Sequence, residues 1–208
     1  MKILLIAGGW SSEREVSLTG ARGMQEALLK RGHAVTFFDL LENFDELLET
    51  ARQHDFALIN LHGSPGEDGL VQAMLEKAGC PYQGSGPSGS FLALNKAAAK
   101  QIFRMAGLPT ADWEFLPVRP AEGWEPRLPW PLFVKTTTGG SSLRLGRATN
   151  RQELDALMDE IFAAGEGVLV VEGQQAGDVQ VPGAVVHAVA AGGAGKHLLP
   201  HHAGGHVQ

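Results

Sequence analysis

The sequence predicts an α/β protein in which a parallel sheet is followed by an α+β unit built around a β-hairpin. From residue 2 to residue 79, short apolar runs alternate with stretches of helical periodicity, which is typical of parallel strands joined by helical crossovers. After a connector at 107–131 that holds six of the eleven prolines, two apolar runs flank a glycine-rich turn, and this predicts the hairpin. The chain is therefore divided into an N-terminal domain (1–92), a central lobe (93–172) and a tail (173–208).

Local patterns predict each element. Residues 2–7 form a continuous apolar run, as in a strand buried on both faces, and the helical repeat that begins at Leu18 stops at Gly32. Further apolar runs and amphipathic repeats follow in the same way. The predicted elements are strand 2–7, helix 18–31, strand 34–40, helix 43–53, strand 56–61, helix 70–79, strand 81–86, helix 91–105, strand 113–116, strands 132–135 and 143–148, helix 152–163 and strand 167–172.

Composition favours small-molecule chemistry. The chain has 208 residues, of which 44% are apolar, and its 17 basic and 23 acidic residues give a net charge of -6. Because no basic cluster stands out, we expect neither nucleic acid nor a membrane surface as a partner. The single cysteine, Cys80, has apolar surroundings that predict a core residue in a reducing cytoplasm. Residues 1–7 are too short for a signal peptide, and no run approaches the ~20 apolar residues that span a bilayer.

Two strand-end loops of the parallel sheet carry candidate ligands. Glu13 lies in the loop after the first strand, at the sheet edge where open α/β sheets bind ligands, and is either a ligand-facing carboxylate or a solvated charge. Ser12 and Glu15 have the spacing of a helix capping box. His62 follows the third strand among glycines and two acids, which favours a site over an ordinary histidine.

The glycine-rich turn of the hairpin predicts a phosphate-binding loop. Gly139 and Gly140 let backbone N–H groups approach an anion, the neighbouring threonines and serines add hydroxyls, and Lys135 supplies a positive charge. The alternative is a mobile hairpin tip with a solvated lysine. The sequence contains no Gly-x-x-x-x-Gly-Lys-Ser/Thr, and its first turn lacks the Gly-x-Gly-x-x-Gly spacing of a dinucleotide site.

Two further residues have open interpretations. Lys96, Lys100 and Arg104 repeat every four residues on the predicted helix 91–105, which usually indicates a solvated face. Glu172 ends the last predicted strand, where it could contact an adenine or a metal or simply terminate the strand.

Five sequence blocks carry a resemblance to a known family. They are GGWSSEREVSL at 8–18, HGSPGEDG at 62–69, ALNKAAAK at 93–100, AGLPT at 106–110 and FVKTTTGGSS at 133–142. In this order and spacing they resemble the D-alanine–D-alanine ligases of the ATP-grasp superfamily. The resemblance implies a Rossmann-like pre-ATP-grasp domain followed by an incomplete ATP-grasp domain. It also implies a cytoplasmic homodimer that uses ATP and Mg²⁺ to join two D-alanines through D-alanyl phosphate for peptidoglycan synthesis.

The resemblance also implies roles for individual residues. Glu13 corresponds to the carboxylate that holds the ammonium of the first D-alanine, and His62 to a histidine in the same pocket. The resemblance also implies the nucleotide contacts. Lys96 and Lys135 correspond to the lysines that bind the ATP phosphates, and Glu172 corresponds to the acid at the adenine hinge. The loop over the γ-phosphate corresponds to Gly139, Gly140, Ser141 and Ser142. Glu13 and Ser141 are the implied catalytic pair. Trp10, Asn95 and Thr136 depart from the residues that are frequent in the family.

The tail departs from the rest of the chain. Residues 173–208 carry only two charged side chains, Asp178 and Lys196, but five of the eight histidines. The family continues for about a hundred further residues that supply the magnesium ligands, so we expect this chain to lack the C-terminal third and to contain no metal-binding residues. Our hypothesis is that the sequence loses its reading frame or its end near 171–177. Low-complexity disorder and a histidine metal site are the alternatives.

The sequence leaves two other functions open. One is a sister ligase that accepts D-lactate or D-serine, since the acceptor-side residues would lie in the missing part. The other is an inactive fragment that binds only nucleotide or D-alanine.

Overall fold

The computed structural model describes residues 1–140 and 144–173, and its first part is a parallel sheet. The strands are β1 (Lys2–Ala7), β2 (Ala34–Asp39) and β3 (Phe56–Ile59), in the order β2-β1-β3. β1 is central, and its residues from Ile3 to Ala7 are buried, as the continuous apolar run predicts.

Helices cover both faces of this sheet. α1 (Arg14–Lys30) packs Ala21 against Leu5 and Ala7 of β1. Leu4 and Ile6 point to the other face, where they join a larger cluster with side chains from the remaining helices. Those helices are α2 (Leu40–Asn43), a 3₁₀ turn (Phe44–Glu46), α3 (Leu47–Arg52) and α4 (Leu70–Ala78). Cys80 is buried in the same cluster, as predicted.

Three local predictions for this part are wrong. α1 begins at Arg14, four residues before the predicted start, and its N-cap is Glu13 without a side-chain cap bond, so Ser12 does not cap the helix. The predicted helix 43–53 is divided into short pieces, and the predicted strand 81–86 is reduced to one bridge between Ala57 and Tyr82. Propensity alone does not set such boundaries, because tertiary packing decides where short elements end.

The predicted helix 91–105 is two helices. α5 (Pro87–Leu94) ends at Asn95, which has an extended backbone (φ -79°, ψ 100°). The Asn95 Oδ1 accepts the Ala98 N–H (3.0 Å) and caps α6 (Lys96–Met105). Asparagine favours an N-cap because its side chain satisfies a donor that the helix leaves open. The break therefore puts Lys96 at the first position of a new helix.

The second sheet is antiparallel, and its spatial strand order differs from the chain order. Its strands are β4 (Trp113–Leu116), β5 (Leu132–Thr136), β6 (Gly146–Ala148) and β7 (Val168–Glu172), arranged β4-β7-β5-β6. The β5–β6 hairpin confirms the sequence prediction, and with the parallel sheet it confirms the α/β fold class.

One face of the second sheet packs on α7 (Arg151–Ala163), whose N-cap is Asn150. Leu132 and Val134 of β5 lie on this face in a cluster with α7. The opposite face is covered by α6, where Ala97 packs against Leu169 and Val171. The domain bounds 1–92 and 93–172 remain predictions, and none of the described helices is long and apolar enough to cross a membrane.

Candidate functional site

A cavity of about 450 Å³ lies between loops that belong to the two sheets. Four segments line it: the loop after β1, the loop after β3, the end of α5, and the β5–β6 loop with the turn before β7. The lining residues in the described part of the chain are Trp10, Ser11, Ser12, Glu13, Gly63, Ser64, Asp68, Phe91, Leu94, Asn95, Thr136, Thr138, Gly139, Gly140, Arg144 and Glu166. The loops that the sequence predicted as separate candidate sites thus share one cavity.

The loop after β1 is held by an ion pair. The Arg14 guanidinium donates two hydrogen bonds to the Asp39 carboxylate (2.7 and 2.6 Å) and one to the Gly9 carbonyl (3.3 Å). The hydrogen bond from Arg14 lowers the pKa of Asp39 below its ordinary value, although burial opposes it. Gly8 has a φ of 77°, and a Cβ there would lie 2.4 Å from Arg14 Nη1. The loop that presents Glu13 therefore requires glycine at position 8.

A buried serine and asparagine join the carboxyl ends of β1 and β3. Ser17 Oγ accepts the Gly8 N–H (2.8 Å) and donates to the Asn60 carbonyl. Asn60 Nδ2 returns a hydrogen bond to the Ser17 carbonyl (2.6 Å). The link ties together the bases of two strand-end loops. Sequence reasoning missed this link, since the two residues are 43 positions apart.

The loop after β3 contributes Gly63, Ser64 and Asp68 to the cavity. Ser64 Oγ donates to Asp68 Oδ2 (2.5 Å), and Asp68 Oδ1 accepts the Leu70 N–H (2.9 Å). His62 precedes this segment and is half-buried, but it is not among the lining residues. Its role in binding D-alanine stays a prediction, as does that of Glu13.

The β5–β6 loop uses its threonine hydroxyls internally. Thr136 Oγ1 accepts the Gly139 N–H (3.1 Å), and Thr137 Oγ1 donates to the Gly167 carbonyl (2.8 Å). Thr138 Oγ1 donates to Glu166 (3.3 Å). These hydroxyls shape the loop, whereas the sequence suggested that they were phosphate donors. A Cβ on Gly139 would lie 2.3 Å from Thr136 Oγ1, so this turn also requires glycine.

Lys96 reaches this loop from the start of α6. Its Nζ donates to the Gly139 carbonyl, and its backbone N–H donates to the Thr137 carbonyl (2.9 Å). Burial lowers the pKa of Lys96; the Glu166 carboxylate raises it, and the Lys135 ammonium lowers it. The two predicted phosphate-binding lysines therefore act on each other electrostatically beside the glycine loop. Ser141 and Ser142, also predicted for this site, lie outside the described residues.

Lys100 and Arg104, which share the four-residue repeat with Lys96, contact other parts of the chain. Lys100 donates to Thr110 Oγ1 (2.8 Å) and to the Ala111 carbonyl (3.0 Å). The Arg104 guanidinium lies 4.1 Å from the ring centroid of Trp113. Both side chains hold residues 110–113 against α6. Lys96 differs from them because it contacts Gly139, which lines the cavity, although Lys96 itself is not among the lining residues.

Glu172 is the last residue of β7. It lies beside the first residue of β5, at the end of that strand away from the glycine loop. In the antiparallel register it pairs with Leu132, whereas Thr136 pairs with Val168. Directly paired residues share a face of a sheet, so Glu172 is on the face of Leu132 and Lys135 is on the other. The adenine-hinge role of Glu172 stays a prediction.

Two cavity residues were missed by sequence reasoning. Arg144 lines the cavity at φ 51°, and its Nη1 lies 3.8 Å from Glu166 Oε1. Glu166, in the turn before β7, thus contacts residues on both sides of the glycine pair in sequence, Thr138 and Arg144. No local pattern marks either residue, because the pair forms only when the hairpin folds back towards that turn.

The site combines cations at the glycine loop with carboxylates across the cavity. Such an arrangement can hold a phosphate at the loop and an amine near Glu13. Within residues 1–140 and 144–173, no group of three or more histidine, cysteine, aspartate or glutamate side chains could hold a metal ion. The described residues therefore do not fit a magnesium site.

The family model for the D-ala D-ala ligase C-terminus matches residues 101–193. A D-alanine–D-alanine ligase from Desulfovibrio desulfuricans is 75% identical over 170 residues, which cover 82% of this chain and 56% of that protein. The chain belongs to the D-alanine–D-alanine ligase family. It spans about 56% of the length of the first curated relatives that it matches.

Other comparisons agree with this family. A D-alanine–D-alanine ligase from Oleidesulfovibrio alaskensis is 54% identical over 200 residues, covering 92% of this chain and 65% of that protein. The crystal structure of the Bacillus anthracis D-alanine–D-alanine ligase complexed with ATP matches with a TM-score of 0.75 at 33% identity. That match covers 84% of this chain and 59% of the other. The family-model match continues 20 residues beyond Gly173, the last residue that the structure describes.

Proposed function

We propose that this chain contains the ATP-binding and first-substrate elements of a ligase that joins two D-alanines. The observation that carries the proposal is the shared cavity, which is lined by the Glu13 loop and by the glycine loop that Lys96 contacts. Family membership and the ATP complex of the Bacillus anthracis relative support it.

The proposed reaction has two steps. A carboxylate oxygen of the first D-alanine attacks the γ-phosphorus of ATP, the bond to the β-phosphate oxygen breaks, and ADP leaves with that electron pair. The amine of the second D-alanine then attacks the acyl carbon, loses a proton, and expels phosphate. Both steps depend on charge neutralisation and alignment rather than on covalent help from the protein.

The residues around the glycine loop would bind the nucleotide. Lys96 and Lys135 supply positive charge to the phosphates, and the backbone at Gly139 and Gly140 approaches them closely because no Cβ intervenes. Burial favours the neutral form of Lys96, and an arriving polyphosphate would favour its charged form. We also assign Ser141 and Ser142 to this loop, and Glu172 to the adenine.

Glu13 would bind the ammonium of the first D-alanine. Its loop is fixed by the Arg14–Asp39 pair and by Gly8, so the carboxylate is presented from a rigid base. His62 would contact the same substrate. The product belongs to cytoplasmic peptidoglycan precursor synthesis, and we expect a homodimer formed through the N-terminal domain.

A bound magnesium ion would neutralise charge on the β- and γ-phosphates. Because the described residues offer no carboxylate cluster for it, the activity of the chain by itself is the point to test. This same observation favours the second candidate function, an ATP- or D-alanine-binding fragment without turnover. A ligase for D-lactate or D-serine is the third.

The test is D-alanine-dependent phosphate release by the 208-residue chain with ATP and Mg²⁺, with the dipeptide identified by mass spectrometry. ATP binding is measured in parallel for the wild type, Lys96→Gln and the control Lys77→Gln, an exposed lysine in the last turn of α4. Dipeptide formation supports the ligase, and mixed products with D-lactate or D-serine support the sister activity. ATP binding that depends on Lys96 but gives no product supports the binding fragment, and absence of ATP and D-alanine binding overturns all three.

A further inference from the structure

Arg144 has an unusual backbone for an arginine. Its φ is 51°, and among residues 1–140 and 144–173 it is the only non-glycine residue with a positive φ. Side chains of L-residues are disfavoured in this region, and such conformations persist mainly where the surroundings impose them, often at functional sites. In this conformation Arg144 lines the cavity, as Gly140 does.

The ion pair between Arg144 and Glu166 is loose. Its Nη1 lies 3.8 Å from Glu166 Oε1, which is beyond hydrogen-bonding distance, and 39% of the Arg144 side chain is exposed. The interaction is therefore an electrostatic one between partly hydrated groups, and such pairs are easily exchanged.

Glu166 interacts with more than one cation. Its Oε2 accepts the Thr138 hydroxyl at 3.3 Å, its Oε1 faces Arg144, and its negative charge favours the protonated form of Lys96. Glu166 thus interacts with two cations near the glycine loop: Lys96, which contacts Gly139, and Arg144. A carboxylate in that place would repel a polyphosphate unless its cations turn to the incoming anion.

We propose that Arg144 is a nucleotide-binding residue whose guanidinium moves from Glu166 to the terminal phosphoryl oxygens of ATP, with Glu166 as the internal counter-ion when no nucleotide is bound. The planar guanidinium matches phosphoryl oxygens in a two-bond geometry that lysine does not reproduce. This inference rests on the proposed ATP binding and adds a residue to it. A different role for the pair would be a structural clasp that only closes the loop.

Isothermal titration calorimetry without metal ions, with ATP, AMP and inorganic tripolyphosphate, tests the proposal. The variants are Arg144→Gln, Arg144→Gly, which suits the positive φ, and Glu166→Gln. The control is Arg147→Gln, an exposed arginine three residues further along the same hairpin that does not line the cavity. Thermal unfolding verifies that each variant is folded.

Both Arg144 variants should weaken ATP and tripolyphosphate binding by about tenfold or more, as expected for a lost charge-assisted hydrogen bond. AMP, which lacks the β- and γ-phosphoryl groups, should be affected far less, and Arg147→Gln should bind as the wild type does. Glu166→Gln should bind ATP several-fold more tightly, because it removes a competing carboxylate.

The opposite results are equally clear. Unchanged ATP affinity in both Arg144 variants would overturn the inference while the proposed function stands. Weaker binding in Glu166→Gln, equal to that in Arg144→Gln, would establish the clasp and overturn the counter-ion role. Arg144-dependent binding of tripolyphosphate without binding of ATP would overturn the proposed function but support the anion contact, and binding of neither by the wild type would overturn both.

Discussion

The two sides of the cavity are built in different ways. On the parallel-sheet side, the strand-end loop is fixed by buried or partly buried polar groups at short distances, such as Arg14 with Asp39 at 2.6 Å and Ser17 with Asn60. On the antiparallel side, the glycine loop also has short hydrogen bonds, such as Thr137 Oγ1 to the Gly167 carbonyl at 2.8 Å, but its contacts with Glu166 are longer: 3.3 Å to Thr138 and 3.8 Å to Arg144. The first side is fixed before any ligand arrives, whereas on the second side the Arg144–Glu166 pair is loose enough to adjust to a ligand.

The largest expected effect of breaking the fixed side comes from Gly8→Ala. Alanine at this position would have a disfavoured φ, and its Cβ would lie 2.4 Å from Arg14 Nη1. The change therefore strains the backbone and displaces the ion pair. We expect a loss of roughly 3 kcal/mol in the free energy of unfolding, measured by urea denaturation. The control Gly23→Ala, within α1 and with no heavy atom near its added Cβ, should stabilise by about 0.5–1 kcal/mol. Equal effects of the two changes would contradict the rigid-loop interpretation.

Ser17→Ala should have the next largest effect. It leaves the Gly8 N–H without its hydroxyl acceptor in a fully buried position. The expected cost is about 2 kcal/mol in the free energy of unfolding, compared with less than about 0.5 kcal/mol for Thr19→Ala on the exposed side of the same helix. A cost near zero for Ser17→Ala would mean that the buried link does not hold the strand ends.

The pH dependence of the free energy of unfolding isolates the contribution of the Arg14–Asp39 ion pair. The pKa of Asp39 is lower in the folded state than its ordinary value of 3.8, because Arg14 donates to its carboxylate. Its contribution is therefore present above pH ~4 and is lost as the pH falls through the lower folded value. Urea midpoints from pH 7 to pH 3 should fall less steeply for Asp39→Asn than for the wild type. Parallel curves would show that other carboxylates dominate the acid response.

The adjustable side should respond least. Arg144→Gly relieves a disfavoured φ but gives up a loose ion pair and makes the unfolded chain more flexible, so the changes nearly cancel. We expect less than about 1 kcal/mol of change in the free energy of unfolding. A loss of several kcal/mol would place Arg144 among the structural residues and remove the contrast between the two sides.

Local signals in the sequence predicted most of the strands and the loops that meet at the cavity. Each of those signals lies within ten residues, as in the Gly139–Gly140 turn or the apolar run of β1. The pairs that hold the site are different: Arg14 and Asp39 are 25 residues apart, and Ser17 and Asn60 are 43 apart. Such contacts leave no periodic pattern, since they depend on which strand lies beside which. The break at Asn95 was missed because its neighbours favour helix, while its own side chain favours a cap.

That break has a mechanical consequence. α5 joins the elements of the first sheet through α4, whereas α6 packs Ala97 on the second sheet and is bonded through Lys96 to the glycine loop. Within residues 1–140 the backbone crosses between these two groups of elements once, at Asn95, whose ψ of 100° already departs from helix. Asn95 also lines the cavity, so the main-chain connection between the two groups of elements runs through the wall of the site. A change at this residue would act on the connection and on the site together.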